Sequence, residues 1–351
     1  MKINLKREYF TFNKSDFVEY GNFKIKAFKY NSGVEAFEIN NEKCSFVFTP
    51  FKGQQIWHFC VGGKEISMQT TVKEPVDTMT YLQNYGGFLY HCGIISFGAP
   101  DSEHPHHGEI PNAIYDEAYI ICDEDEKGKY IILGGSLNHD TAFVRKYKFA
   151  PEIKLYENNA VFQITVNIEN LRAYPLEYMY LCHLNFKPID GAELICSAKY
   201  DSEHLKIYRT DGSDKLIEYF DKLENNPEIM NRVGNEHEFY DPEICFGIKY
   251  DGDENNRAYT LQYTDEGACY VSHPTDVLKN GVRWISRTAN EDSMGMVLPA
   301  TGEHLGYANA KEKGQIQILE PNGKISFLIE AGYLEKEEAE AVKNKIYDIL
   351  K

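Results

Sequence analysis

Apolar and polar residues alternate with a period of two along this chain, and that spacing limits the possible folds more than any other feature. From Val161 to Asn170, Phe162, Ile164, Val166 and Ile168 alternate with Gln163, Thr165, Asn167 and Glu169. Successive side chains of a strand point to opposite faces, so the spacing predicts a half-buried antiparallel strand. Glu157-Asn158-Asn159-Ala160 reads as the hairpin turn joining it to a strand over residues 152–156. Two further hairpins are expected. One runs from residues 259–263 through Asp265-Glu266-Gly267 into 268–272, the other from 316–319 through Glu320-Pro321-Asn322-Gly323 into 324–329. Helical spacing occurs in only two places: residues 336–350, with Ala339, Val342, Ile346 and Leu350 three or four apart, and more weakly residues 215–225. At 351 residues the chain exceeds the usual size of one core. No repeat, low-complexity stretch or Gly/Ser linker divides it, however. The reading is all-β: one large two-sheet sandwich over residues 1–351, closed by a short C-terminal helix.

Charge removes whole classes of partner. A net charge of −17 without a Lys/Arg cluster leaves no basic face for nucleic acid or an anionic membrane. No apolar run approaches the roughly 20 residues of a membrane span, and Met1 to Arg7 lacks the apolar stretch of a signal peptide, so a cytoplasmic protein is expected. None of the eight cysteines has a partner at two-residue spacing, which argues for reduced, mostly buried thiols rather than a zinc ribbon or redox dithiol. No cofactor is expected. Twenty-five tyrosines and 20 phenylalanines fit strands, and tyrosines in a cleft can stack on the apolar faces of sugars.

Chemistry concentrates in two segments. His104-Pro105-His106-His107-Gly108-Glu109-Ile110-Pro111-Asn112 carries three of the eleven histidines and a carboxylate among turn-forming residues. Histidine titrates near neutrality, so such a cluster points to proton transfer or metal binding. In Tyr180-Leu181-Cys182-His183-Leu184-Asn185-Phe186, a histidine and an asparagine sit on an otherwise apolar strand. A buried asparagine must find partners, and Asn185 is placed to orient His183.

Tyr85-Gly86-Gly87-Phe88-Leu89-Tyr90-His91-Cys92-Gly93, His107-Gly108-Glu109-Ile110-Pro111-Asn112, His183-Leu184-Asn185-Phe186 and Met294 to Thr301 follow one another in the chain. In that order they resemble landmarks of the aldose 1-epimerase (galactose mutarotase-like) superfamily, in particular its poorly characterised bacterial branch. The resemblance spans roughly residues 40–335. It implies a β-supersandwich that is a monomer or homodimer, binding a monosaccharide or small uronate on the concave face of one sheet. It also implies ring opening and reclosure by an acid and a base on opposite sides of C1–O5. His183 corresponds to the acid and His107 to a histidine that helps hold the ring. At the expected base, Val297-Leu298-Pro299 puts Leu298 in the carboxylate's place, and leucine cannot accept a proton. Glu109 is the foremost substitute and Glu303 the next. Glu320, although in a Leu-Glu-Pro triplet, opens a terminal turn and is set aside. Lys52 with Gln54 or Gln55, His91, Arg283 and Trp284 are the remaining candidate sugar ligands.

Two other classes of function compete. Loss of the base would leave a sugar-binding protein without catalysis. Alternatively, His104, His106 and Glu109 have the spacing of cupin-type metal centres, and His183 could complete a set for Zn, Mn, Fe or Ni in a metal-dependent sugar isomerase.

Overall fold

The computed structural model describes residues 1–235 and 240–351. Strands alternate as the sequence predicts: along Val161–Asn170 every second residue is buried. Among the described residues the strands form two antiparallel sheets, one of ten and one of thirteen. Phe162, Ile164, Val166 and Ile168 join a core shared by both sheets, together with Phe46, Phe59, Phe88 and Tyr180 from the larger one. Burial of each such side chain stabilises the fold by about 1.5–3 kcal/mol, so an aspartate at Val166 would strike at the centre of the sandwich.

Two of the three expected hairpins form. Glu152–Tyr156 pairs with Val161–Asn170, and Arg257–Thr264 with Gly267–Pro274. The third does not, because Gln317–Leu319 pairs with Leu176–Leu184 in the larger sheet while Lys324–Glu335 lies between Val161–Asn170 and Gly267–Pro274 in the smaller. The turn at Glu320–Gly323 therefore carries the chain from one sheet to the other. Asn170 holds it there: its amide donates to the carbonyls of Tyr174, Leu319 and Glu320, and its backbone N–H donates to Gly323.

Both predicted helices are present. Lys336–Ile349 is closed by a reciprocal cap between Glu335 and Glu338, and it lays Ala339 and Ile346 against Tyr259, Leu261 and Leu334 on the outside of the smaller sheet. Asp214–Asn225 is capped by Ser213 and buries Leu216, Phe220 and Leu223. A third helix, Tyr307–Glu312, is too short for a periodic signal. No helix among the described residues is long and apolar enough to cross a membrane.

The larger sheet positions the site. Its neighbouring strands Ile244–Ile248, Asn280–Arg287, Asp292–Ala300, Leu176–Leu184 and Leu89–Ile94 run side by side. One face of this group looks inward to the shared core. The other looks outward, beneath the segments around residues 81–85, 98–107 and 304–305.

Candidate active site

The two-residue period decides which side chains reach the outward face. Cys245 pairs with Trp284, Val282 with Leu298, and Leu181 with Ala300, so Cys245, Val282, Trp284, Leu298, Leu181 and His183 share that face. They floor a cavity of about 400 Å³, within the usual size range of small-molecule pockets. Its walls come from the overlying segments, chiefly Tyr81, Tyr85, His106, His107 and His304.

His107 is delivered by a turn that few residues tolerate. It adopts φ +59° and is followed by Gly108 at φ +85°, where a side chain would collide with the carbonyls of Ser96 and Gly93 at 2.2 and 2.3 Å. Backbone bonds from His107 N–H to Gly98 and from Gly93 N–H to His107 pin the turn. The His107 ring stacks on His106 at 4.5 Å between centroids and meets the edge of His183 at 5.2 Å. Imidazoles in edge contact leave no room for a sugar between them, so His107 and His183 form one wall of the cavity rather than opposite jaws.

His183 is only 4% exposed, and its Nδ1 lies 2.7 Å from Asn185 Oδ1. The orientation of that amide is set by Nδ2–H donating to the Gly87 carbonyl at 3.0 Å, while Tyr85 O–H donates to Oδ1 at 3.0 Å. Asn185 Oδ1 can only accept, so His183 Nδ1 carries the hydrogen and Nε2 presents its lone pair. Burial draws the His183 pKa down to about 3, with the Asn185 bond opposing. His107 is likewise lowered, first by burial and then by the neighbouring histidines. At neutral pH both rings are uncharged in the free protein.

Trp284 borders His183 at 5.7 Å between rings and donates Nε1–H to Glu243 Oε2 at 2.6 Å. Among the described residues of the lining Glu243 is the one carboxylate, and none is a lysine or arginine. No local pattern marks it as a site residue. Glu243 follows a Tyr-Asp-Pro turn at the start of a strand, and only pairing of that strand with Asn280–Arg287 brings it beside Trp284. Tyr81, Tyr85 and His304 join the lining without such a mark either, whereas Leu298 lies in it where the resemblance puts the base.

The remaining expected ligands lie elsewhere. Arg283, one residue from Trp284, faces the opposite way: it is fully buried in the core and bonded to the carbonyls of Met296 and Met230. Adjacent strand residues cannot serve one pocket. His91 faces inward for the same reason, with Nδ1 2.7 Å from Tyr180 O–H and its ring edge against Phe149. Gln54 bonds the Pro50 carbonyl, and Gln55 bonds Pro111 and Asn112. The Lys52 ammonium reaches Asp77 and the Thr78 carbonyl, holding the segment before Tyr81.

Neither expected carboxylate enters the cavity. Glu109 turns toward the smaller sheet, accepting from Tyr147 O–H and from the backbone N–H groups of Ile94 and Ile95. Burial pushes its pKa up to about 7 against those bonds. Glu303 is enclosed by Lys206, Lys313 and Tyr208, which hold its carboxyl down to about 2 against the upward push of burial. The metal set does not converge either. His104 pairs with Asp101 and stacks on Tyr307, Glu109 faces away, and among the described residues no group of three His, Cys, Asp or Glu is arranged to hold a metal ion.

Comparison with known proteins places this geometry in a family. No curated protein matches the chain. The crystal structure of a Klebsiella pneumoniae protein provisionally described as an aldose 1-epimerase superposes with a TM-score of 0.81 at 16% identity, covering 100% of this chain and 92% of that one. A galactose mutarotase-like protein from Clostridium acetobutylicum gives 0.59 at 14% identity, covering 90% and 99%. A galactose mutarotase related enzyme from Lactobacillus acidophilus gives 0.55 at 12%, covering 86% and 98%. At these identities the likeness concerns the fold, which is the galactose mutarotase-like β-sandwich. The family model for a domain of unknown function, DUF4432, matches residues 31–332, and the chain therefore belongs to the DUF4432 family.

Proposed function

We propose that this protein binds a monosaccharide and interconverts its anomers by opening and reclosing the ring, as an aldose 1-epimerase does. The observation that carries the reading is the placement of His183 and His107 on one wall of a cavity floored by Trp284, His183 lying 5.7 Å from the indole. An indole face suits the apolar face of a pyranose, and the neighbouring imidazoles suit proton exchange with its oxygens. The descriptions of the Klebsiella and Clostridium proteins agree with this class of reaction. A carboxylate and no lysine or arginine among the described lining residues favour a neutral sugar over a uronate or a sugar phosphate.

Ring opening takes a proton from O1–H and gives one to O5. Burial keeps His183 neutral in the free protein, so its pairing with a carboxylate turns on one mobile proton, taken up with the sugar, which passes from one partner to the other as the ring opens. Freshly dissolved single anomers of glucose, galactose and xylose, followed by polarimetry, test the reading. Equilibration faster than the spontaneous rate is expected, and the spontaneous rate unchanged for all three would refute it.

One observation favours a second reading, a binder without turnover: Leu298 lines the cavity at the position where the resemblance puts the base. Binding heat with these sugars and no acceleration would select it.

A further inference from the structure

The base is missing from its expected place, yet the cavity has a carboxylate. We propose that Glu243 is the catalytic carboxylate partner of His183, supplied from a different strand than the one that carries Leu298. This rests on the ring-opening reading above. Three observations converge on it. Glu243 is the only carboxylate among the described residues of the lining. Its Oε2 is held by the Trp284 indole N–H at 2.6 Å, while Oε1 has no hydrogen bond among the described residues and is left to accept a proton. The same indole touches His183 and Glu243, so one rigid side chain sets the spacing between the two proton carriers. Leu298, paired with Val282 on the next strand but one, adds an apolar patch to the same floor.

The step balances without a cofactor. Glu243 Oε1 takes the proton of O1–H as the O1–C1 bond becomes a carbonyl. The C1–O5 bond breaks, its electron pair goes to O5, and O5 takes the proton that His183 Nε2, a bare lone pair in the free protein, draws from solvent as the sugar binds. Rotation about C1–C2 and the reverse addition return both protons and yield the other anomer.

Glu243→Gln keeps the size of the side chain and an oxygen to accept the Trp284 N–H. It is expected to lower kcat for the best of the three sugars by about 10²–10⁴-fold, with KM within about threefold and the thermal midpoint retained. Rescue separates chemistry from structure: in Glu243→Ala, added formate should raise the rate in proportion to its concentration, which a purely structural loss would not allow. Trp284→Phe, which frees the carboxylate, should lose about tenfold in kcat and shift the pH profile. A Glu243→Gln enzyme within threefold of wild-type kcat, or a Glu243→Ala enzyme that formate does not rescue, overturns the assignment while the wild type still turns over. A wild type that accelerates none of the sugars overturns the assignment together with the function it deepens.

Discussion

The two faces of the larger sheet each carry a buried imidazole, and the contrast between them separates a site from a core. His91 and His183 lie on adjacent paired strands, one residue out of register, so they point to opposite sides. Each has Nδ1 tied to one neighbour at 2.7 Å, Tyr180 for His91 and Asn185 for His183, and burial draws both down to about 3. Charge and burial therefore do not tell them apart. The difference is what lies beyond the ring: Phe149 and the shared core for His91, a cavity with Trp284 and Glu243 for His183. A perturbed pKa marks a functional group only where a ligand can reach it.

Replacing both imidazoles should break the contrast most sharply. His183→Ala is expected to lower kcat by about 10²–10⁴-fold with little loss of stability, since its side chain borders open volume. His91→Ala should leave kcat per folded molecule near wild type and cost about 2–4 kcal/mol, because it opens a core cavity and strands the Tyr180 hydroxyl. Steady-state polarimetry beside urea unfolding checks both, and equal effects of the two changes on kcat would end the distinction.

Acidification comes next. The unfolded chain protonates these histidines near 6.5, whereas the folded one does so near 3, so the unfolded state binds more protons between those values and stability falls as pH drops through that window. Each contributes on the order of 3 kcal/mol by pH 4. Glu109 has the opposite sign: raised to about 7 from 4.5, it favours the fold when protonated, and its contribution is lost as pH rises from about 4.5 to 7. His91→Leu should flatten the acid limb of stability measured by urea midpoint from pH 8 to pH 4, and an unchanged slope would mean that His91 does not resist protonation.

The smallest effect sharpens the site face alone. Asn185→Leu removes the acceptor that fixes the Nδ1–H tautomer, and about tenfold lower kcat is expected with the His183 titration, read by NMR, moved downward because the opposing bond is gone. An Asn185→Leu enzyme with wild-type kcat would show that the cavity orients His183 without it.

Much of this was legible in the residues. Strand positions, the C-terminal helix, the His183–Asn185 pairing and the His107-Gly108 turn depend on local spacing and short-range backbone preference, which a sequence carries directly. The same period of two already forbids Arg283 and Trp284 from sharing a pocket, and Tyr90 and His91 from facing one side. Missed were the destinations of Glu109 and Glu243. Glu109 follows His107 by two residues, yet the turn at Gly108 sends it to Tyr147 on the other sheet. Glu243 stands 60 residues after His183 with no local mark of chemistry.

By itself, then, the sequence determined an antiparallel sandwich, which residues share a face, and which histidine has an asparagine to orient it, because each of these follows from contacts between near neighbours along a strand. Tertiary structure alone decided which face of the larger sheet stays open, that the chain crosses between sheets at Glu320–Gly323, and which carboxylate meets His183. Those outcomes depend on how distant strands pair and how loops cross over them, and no local pattern encodes where residues far apart in the chain will converge.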